Sequence, residues 1–490
     1  MRWYYYRTWQ ERLVAVMKEA IVRLAGATIQ NFKNVAYGAL SFENNRKDFK
    51  SSILGLYGQN GSGKTALIDA IELLQNILCG RPIPPKFADY INVDSEIATL
   101  AYEFDVQIPQ GSYRVSYEVS LKKAEDTTTQ NTEQAANDGS KYRTSVFNEV
   151  VKTLILSSNG KDRIGKLIDT NTEEIFLPRP KVSLLVGKKK ETKTNLLVAK
   201  KLTEASSRSF IFSKELLTAI REQVKNNADE ELLLYSALLE ALVKFGNREL
   251  FVVNTATSGL ISLNAQPLMF KYEGNNMGAI GTVMLPLETP VVVPQDMLGV
   301  VDKIIRNMNI VLEQIIPGLT ISIKELGTQL MDGDQIGVRI QLMSRKNSKE
   351  IALKYESEGI KKIISILQLL IVVYNQPSIT VAVDELDAGV FEYLLGELLR
   401  IISEKGKGQL IFTSHNLRPL ETLDKGFIAF TTVNPKHRYI RFNNVKENNN
   451  LRDFYYRDIM LGEQNEMVYE TTNNSEISFA FREAGDAIGS

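Results

Sequence analysis

A glycine-rich octapeptide near the start of the chain constrains the fold more than any other feature. GQNGSGKT, residues 58–65, fits the pattern G-x-x-x-x-G-K-[ST] and lies between an apolar stretch, SSILGLY, and a helical pattern, TALIDAIELLQNIL. Glycines let successive backbone N–H groups surround phosphate oxygens, and the positive end of the following helix adds to the attraction. The pattern therefore predicts a phosphate-binding loop between a strand and a helix.

Two side chains of this loop have specific tasks at a bound phosphate chain. Lys64 would reach the β- and γ-phosphates, and the Thr65 hydroxyl would ligate Mg²⁺. The predicted contacts of the whole loop are Gly58, Asn60, Gly61, Ser62, Gly63, Lys64 and Thr65.

Two apolar strand patterns in the second half of the chain end in residues that suit phosphate chemistry. ITVAVDE, residues 379–385, places Asp384 to hold Mg²⁺ through water and Glu385 to polarise an attacking water. QLIFTSHN then brings His415 to a strand's carboxyl end, where open α/β sheets bind ligands and where it would contact the γ-phosphate. Taken alone, the acidic pair also suits a strand-to-helix cap, and the histidine a hydrogen-bonded surface residue. The spacing after the glycine-rich loop favours the nucleotide site.

A Ser-x-Gly turn opens a long amphipathic helix just before the Asp384 strand. It lies in YESEGIKK, residues 355–362, with Ser357 and Gly359 at the helix start. Serine is also a common helix N-cap, and the two roles are compatible.

The order of these four motifs resembles that of ABC-type ATPases. The resemblance implies that ATP and Mg²⁺ are bound and that two copies of the chain enclose two ATP molecules. It also implies that Ser357 and Gly359 act on the ATP held by Lys64 of the partner. Leu386-Asp387 matches the D-loop of that class, so Asp387 is expected at the interface. The glutamine that senses Mg²⁺ in the class stays open between Gln107 and Gln110.

The spacing of the motifs narrows the branch of this class. Lys64 and Asp384 lie too far apart for a compact transporter domain, and no long heptad repeat suggests the coiled-coil arm of chromosome-maintenance ATPases. The chain resembles the shorter RecF-like and OLD-like group instead. OLD nucleases append a Toprim domain, and the residues after His415 are too few for one. Asp332-Gly333-Asp334 is interpreted as a polar hairpin turn rather than a Toprim motif.

The resemblance extends to the stand-alone ATPase subunits of bacterial anti-phage systems of the PARIS and Septu types. It implies an ATP-bound oligomer that controls a separately encoded nuclease effector and responds to a phage protein. One alternative is a RecF-like repair ATPase that binds DNA through the basic stretch Arg179–Lys201. A second alternative is a scaffold that ATP locks without hydrolysis.

Composition excludes several other classes of protein. The formal net charge is zero, so no overall field attracts nucleic acid or membrane. The single cysteine, Cys79, and the two histidines exclude a disulfide framework and a histidine-rich metal centre. No apolar run is long enough to span a bilayer, and the basic N-terminus lacks the apolar core of a signal peptide. These features predict a cytoplasmic protein without membrane contact.

The expected fold class is α/β, an ABC-type head with a P-loop sheet, an antiparallel β subdomain and a partly helical insertion. The antiparallel part is predicted from two alternating stretches, ATLAYEFDVQIP and SYRVSYEVSLKK, joined by a tight turn. Five segments are predicted: an N-terminal extension (1–20), an N-terminal ATPase lobe (21–145), an inserted subdomain (146–290), a C-terminal ATPase lobe (291–445) and a tail (446–490).

Overall fold

The structure of the protein is a computed structural model. It describes residues 16, 19–44, 52–125, 142–155, 163–227, 229–254, 266–273, 278–285, 289–331, 335–442, 450–462 and 464–488. Most of the predicted N-terminal extension and the residues 332–334 lie outside this part of the chain.

Strands and helices are both abundant in the described part. The strands are β1 (Ile21–Phe32), β2 (Val35–Ser41), β3 (Ser52–Tyr57), β4 (Ile97–Ile108), β5 (Gly111–Glu125), β6 (Tyr142–Ile155), β7 (Arg163–Asp169), β8 (Leu250–Val253), β9 (Gln266–Glu273), β10 (Gly278–Leu285), β11 (Val291–Pro294), β12 (Leu319–Leu330), β13 (Ile336–Lys346), β14 (Lys349–Ala352), β15 (Thr380–Val383), β16 (Gln409–Thr413), β17 (Ile428–Thr431) and β18 (Tyr439–Ile440). The helices are α1 (Lys64–Leu78), α2 (Arg179–Val186), α3 (Lys190–Ala205), α4 (Lys214–Asn226), α5 (Glu230–Arg248), α6 (Gln295–Ile315), α7 (Glu358–Asn375), α8 (Glu392–Lys405), α9 (Pro419–Thr422), α10 (Leu451–Leu461) and α11 (Asn474–Ile488). Within the described residues, none of the helices combines the length and apolarity needed to cross a membrane.

The central sheet carries the glycine-rich loop. Its strand order is β18-β17-β3-β16-β15-β8, and all neighbours are parallel except β17 and β18. Its inner strands β3, β15, β16 and β17 are buried on both faces, as is usual for parallel sheets, whereas the edge strands β8 and β18 are partly exposed. In β15, for example, Ala382 packs into the core under α1, whereas Val381 and Val383 pack into the core under α7. The sheet therefore separates two hydrophobic cores.

A second six-stranded sheet, in the order β2-β1-β4-β5-β6-β7, is antiparallel throughout. It contains the predicted hairpin of β4 and β5, in which Ile108 pairs with Gly111. Helices α1 to α5 contribute to the same hydrophobic core as this sheet. A smaller sheet of β11, β13, β12 and β14 lies with α6 and α7 on the other side of the central sheet.

The mixed α/β class with a P-loop sheet and an antiparallel β subdomain is confirmed. The strand pairing does not follow the predicted boundaries of the inserted subdomain, however. Strand β6 crosses position 145 and continues the antiparallel sheet, because it pairs with β5. Strand β8 pairs with β15 in the central sheet, so Leu250–Val253 belongs to the ATPase core. Within 146–290, the described elements outside these two sheets are the helices α2 to α5 and a separate antiparallel pair of strands, β9 and β10.

Two further features of the sequence are the basic stretch and the acidic triplet. The basic stretch Arg179–Lys201 is mostly helical, since it forms α2 and most of α3. The acidic triplet at 332–334 lies outside the described residues, whereas the flanking strands β12 and β13 pair antiparallel up to Leu330 and Ile336.

Candidate nucleotide-binding site

The carboxyl ends of four neighbouring parallel strands meet at one edge of the central sheet. Strand β3 leads into the glycine-rich loop, β16 ends before Ser414 and His415, β15 ends before Asp384, and β8 ends before Asn254. Ligands of open α/β sheets bind at this edge. The motifs that are scattered along the sequence are therefore assembled by strand order.

Glycines shape the loop because the backbone turns where side chains do not fit. Gly58, Gly61 and Gly63 all have φ angles between 77° and 151°, a region that favours glycine. A Cβ on Gly58 would lie 1.8 Å from Thr431 Oγ1, whereas a Cβ on Gly61 would meet no atom within 4 Å. The open side of the loop at Asn60 and Gly61, both exposed, is where a phosphate chain can approach.

Lys64 begins α1 and folds back over the loop. Its Nζ donates to the carbonyl oxygens of Gly58 (2.8 Å) and Gln59 (3.0 Å). Burial lowers the pKa of Lys64, and the negative charges of Asp384, Glu385 and Asp387 oppose that shift. The lysine of the loop and the three acidic residues therefore act on one another across the strand ends.

Asp384 and Glu385 are held by one threonine of the neighbouring strand. Thr413 Oγ1 donates to Asp384 Oδ1 (2.6 Å) and accepts from the Glu385 backbone N–H (2.8 Å). Asp384 is almost fully buried, and its own N–H donates to Val253 O in β8 (2.8 Å). Glu385 is half-buried and has a φ of 50°, so the backbone turns sharply directly after Asp384. Thr413 was not identified from the sequence.

Asp387 links the turn after β15 to the turn after β16. Its Oδ2 accepts from the backbone N–H groups of His415 (3.0 Å) and Asn416 (2.9 Å). The His415 side chain is exposed at the same edge of the sheet. Asp387 Oδ1 is buried and has no hydrogen-bond partner among the described residues. The position of His415 thus depends on a residue that the resemblance assigned to the interface.

Ser357 and Gly359 lie at the start of α7, as predicted. Ser357 is exposed, and its Oγ accepts from the Ile360 N–H at 3.4 Å, so it also caps the helix. Gly359 packs against the turn after Asp387, because a Cβ at this position would lie only 2.7 Å from Gly389 O. The Ser-x-Gly element and the Asp387 turn therefore form one packed unit.

Lys362 is a further charged residue of this unit that the sequence motifs did not single out. It lies one turn into α7, is almost fully buried and interacts electrostatically with Asp387, Glu385 and Asp384. Burial lowers the pKa of Lys362, and the three carboxylates oppose the shift. Lys362 belongs to α7, which packs on the opposite face of the central sheet from α1, the helix of Lys64. Its positive charge partly balances the three carboxylates from that face.

Neither glutamine considered for sensing Mg²⁺ lies at this edge. Gln107 pairs with Ile21 at the start of β1, and Arg23 there hydrogen-bonds to the carbonyl oxygens of Pro377 and Lys407, which precede β15 and β16. Gln107 therefore lies towards the amino-terminal edge of the central sheet, as does Gln110 in the adjoining turn.

A different polar residue, Asn254, lies at this edge of the sheet, directly after the last residue of β8. It is buried beside Asp384, and its Nδ2 donates to Glu72 Oε2 of α1 at 2.5 Å. No motif marks this position in the sequence, because β8 is a four-residue strand within a stretch that was interpreted as an insertion.

Residues from outside the motifs support the loop from behind. Arg438 Nη2 donates to Asn34 O (2.5 Å), and Tyr439 OH donates to Gly63 O (3.0 Å). The Asn34 side chain donates to Gly61 O, and Ser62 Oγ contacts Thr431 Oγ1. The β1–β2 turn and the β17–β18 hairpin thus hold the loop in place.

The donor set at this edge fits Mg²⁺ bound together with a nucleotide. Mg²⁺ is held in proteins by one or two oxygen ligands together with phosphate oxygens and water. The Thr65 hydroxyl and the Asp384 carboxylate can supply those ligands. In the described part of the chain, no group of three or more His, Cys, Asp or Glu side chains forms a separate metal site.

Comparison with known proteins agrees with a nucleotide site of the P-loop type. Residues 24–418 match the family model described as AAA ATPase domain (AAA_15), which covers most of the chain. The protein therefore belongs to the AAA_15 family of ATPase domains. The comparison with curated proteins gave no match.

Several solved structures are similar to the chain at low sequence identity. An Smc head bound to the C-winged helix domain of ScpA has a TM-score of 0.39 and 11% identity, covering 86% of this chain and 98% of that one. The SMC head domain from Thermotoga maritima has a TM-score of 0.34 and 13% identity, with coverages of 86% and 99%. The recombination mediator RecF with ATP has a TM-score of 0.32 and 14% identity, with coverages of 81% and 94%.

Proposed function

We propose that two copies of this chain bind two Mg-ATP molecules between them and hydrolyse them to control a separate effector. The observation that carries the hydrolytic part is the convergence of Lys64, Asp384 and Glu385 at one edge of the sheet. Phosphoryl transfer needs charge neutralisation and a positioned water more than covalent chemistry, and these side chains suit both tasks.

The residues of one copy would divide the work as follows. The N–H groups of the loop and Lys64 bind the phosphates, while Thr65 and Asp384 hold Mg²⁺. Glu385 orients the attacking water and accepts a proton from it, and His415 contacts the γ-phosphate. Thr413 fixes the Asp384 carboxylate and the Glu385 backbone in position. Mg²⁺ supplies positive charge where the transferred phosphoryl group develops negative charge.

The two-copy part of the proposal rests on Ser357 and its surroundings. Ser357 is exposed at the helix start, where the helix N-terminus attracts anions, so a partner's γ-phosphate can approach it. The packed contact between Gly359 and Gly389 joins this surface to Asp387 and hence to His415. Closure on a partner's ATP would therefore act on the hydrolytic residues of the same copy.

Control of a nuclease effector in anti-phage defence is the finer part of the proposal. In this role, a phage protein would be the trigger. The support for the role is the resemblance of the motifs to those of stand-alone defence ATPases. A neighbouring nuclease gene would support this role, whereas neighbours in replication or repair would support the DNA-binding alternative.

The test measures mass by light scattering for the parent protein and for Glu385→Gln, each with and without Mg-ATP, after co-expression with the product of the neighbouring gene. We expect Glu385→Gln to bind ATP, hydrolyse it roughly 100-fold or more slowly than the parent and accumulate as closed dimers. A complex of defined stoichiometry with the neighbouring protein supports effector control. Monomers of both proteins under all conditions would contradict the two-copy site. Phosphate release from the parent separates hydrolysis from a scaffold that ATP only locks.

The DNA-binding alternative depends on the basic stretch of α2 and α3. Three of its cations are engaged within the protein: Arg179 with Glu174, Lys181 with Glu231, and Lys200 with three backbone carbonyl oxygens. Lys188, Lys189 and Lys190 are exposed before and at the start of α3. If they bind duplex DNA, affinity will fall steeply with salt, and their replacement by glutamine will reduce the salt dependence.

A further inference from the structure

The last described helix, α11, has an apolar face that none of the other described residues of its own copy covers. Every described side chain from Asn474 to Gly485 is exposed. Ile477, Phe481 and Ala484 recur at the i, i+4, i+7 spacing of one helix face, and Phe481 is 76% exposed. Phe479 lies on the opposite side of the helix. Such a helix face is expected to contact another surface.

The segment before α11 is fixed beside the glycine-rich loop. Val468 is buried, Met467 O accepts from the Val433 N–H (2.7 Å), and the Glu470 N–H donates to Gln59 Oε1 (2.8 Å). Gln59 belongs to the loop itself. Helix α11 begins only four residues after Glu470, a span of at most about 14 Å. The helix therefore starts next to the nucleotide-binding edge of its own copy.

A second exposed apolar set lies around the Ser-x-Gly element. We call Tyr355, Phe391 and Tyr393 the aromatic patch; their exposures are 71%, 72% and 56%. Tyr355 precedes Ser357, and Phe391 follows Gly389, so the close contact between Gly359 and Gly389 joins the two chain segments that carry the patch.

We propose that α11 of one copy docks with its Ile477–Phe481 face on the aromatic patch of a second copy. The inference rests on the proposed two-copy site, in which the glycine-rich loop of one copy faces the Ser-x-Gly element of the other. The chain segment beside Gln59 in one copy then faces the chain segment beside Ser357 in the other copy. Helix α11 and the aromatic patch occupy these two positions.

Charge supports the same pairing. Residues 470–490 contain four acidic side chains and one basic side chain. On the patch, Lys354 Nζ lies 4.8 Å from the centre of the Tyr355 ring, and the Arg418 guanidinium lies 5.2 Å from that of Tyr393. Lys354 is exposed beside Tyr355 and can face the acidic side chains of α11, whereas Arg418 already pairs with Glu421 of its own copy. Docking would cover both apolar surfaces at once, and α11 would connect the two copies of the closed dimer.

The experiment is cysteine cross-linking in the full-length chain. Cys79 is the only cysteine, so Cys79→Ser gives a cysteine-free background. Chains carrying Phe481→Cys are mixed with chains carrying Phe391→Cys, oxidised with and without Mg-ATP, and resolved by mass without reductant. A disulfide needs Cα atoms within roughly 7 Å, so we expect a mixed cross-linked dimer only when ATP closes the interface. Phe479→Cys is the matched control on the opposite helix face and should give no such band.

Light scattering of the same samples separates failure of this inference from failure of the two-copy site. If ATP produces dimers but Phe481→Cys and Phe391→Cys chains do not join, the docking inference is wrong and the two-copy site stands. If ATP produces no dimer, both are wrong. Two further samples complete the test. A chain that carries both Phe481→Cys and Phe391→Cys would overturn the inference if it formed the disulfide within a monomer. A Phe481→Cys chain co-expressed with an effector would overturn it if the cysteine bonded to the effector in place of the second copy.

Discussion

At the scale of single residues, Lys64 couples the loop to the acidic side chains opposite it. Its ammonium is buried and interacts with Asp384, Glu385 and Asp387. The negative charges of a bound phosphate chain would pair with the Lys64 ammonium. Affinity for ATP should therefore depend on Lys64 more than on any other single side chain of the loop.

Lys64→Ala removes that cation from the phosphate site. Charged hydrogen bonds contribute about 1.5–3 kcal/mol each, so ATP affinity should fall roughly 10- to 100-fold. Titration calorimetry with ATP and Mg²⁺ measures the change. Lys33→Ala is the control, because Lys33 pairs with Asp69 of α1 and not with the loop. Equal ATP affinity in the parent and in Lys64→Ala would mean that phosphates bind elsewhere.

Thr413 offers a test of how the two carboxylates are positioned. Thr413→Val leaves the size of the side chain but removes its bonds to Asp384 and to the Glu385 N–H. We expect the free energy of unfolding to fall by about 1–3 kcal/mol, and ATP hydrolysis to slow beyond what that loss explains.

Thr380→Val is the matched control for Thr413. Thr380 hydrogen-bonds Gln409 at the amino-terminal end of the same sheet, far from the site along the strands. It should lose comparable stability in denaturant unfolding and keep the parent's rate of phosphate release. If the two variants hydrolyse ATP at the same rate, Thr413 has no positioning role.

At the scale of elements, the contact between the start of α7 and the turn after β15 joins two motifs. Gly359→Ala would place a methyl group 2.7 Å from Gly389 O, a distance at which the helix or the turn must shift. ATP binding should persist, because the loop after β3 is untouched, while hydrolysis should fall through displacement of Asp387 and His415. Nucleotide titration and phosphate release measure these separately.

Gly299→Ala serves as the control for glycine replacement in a helix. Gly299 is exposed in α6, and a Cβ there would meet no atom within 4 Å. It should stabilise the protein by about 0.5–1 kcal/mol without changing hydrolysis. Unchanged hydrolysis in Gly359→Ala as well would show that the packed contact does not transmit position.

The elements also show what could be predicted from the sequence. Motifs that are contiguous in sequence, such as residues 58–65, Ser357 to Gly359 and Asp384 to Asp387, carry their own local signal, and strand and helix patterns placed them on the right elements. Thr413 and Asn254 carry no such signal, since their roles arise only because β16 and β8 flank β15 in the sheet. Strand order over hundreds of residues is not encoded in local periodicity, and the same limitation explains why β8 was assigned to the insertion.

At the scale of the whole molecule, the two-copy site predicts a separation of binding from closure. Ser357→Arg should leave ATP affinity near that of the parent, since Ser357 is outside the loop that binds ATP in the same copy. A long cation at the helix start should block approach of the partner, so dimers and hydrolysis should both be lost. Light scattering with Mg-ATP and phosphate release give the two readouts.

Ser357→Ala separates steric blockage from loss of the helix cap. Removing the cap costs about 0.5–2 kcal/mol of stability but leaves room for the partner. Dimers should therefore form with Ser357→Ala and not with Ser357→Arg. Hydrolysis by Ser357→Arg at the parent's rate would disprove the trans arrangement.

The position of β3 in the central sheet has a consequence for the order of events during synthesis. Its two neighbours are β16 and β17, which begin at Gln409 and Ile428. On the ribosome, residues 58–65 emerge long before β16 and β17 exist, so the loop lacks its two neighbouring strands until those strands have been made. Domains fold as units once their parts have been made. A nascent chain would therefore acquire its nucleotide and its partner only after β16 and β17 have been made, which protects it from assembling with another copy before its central sheet can form.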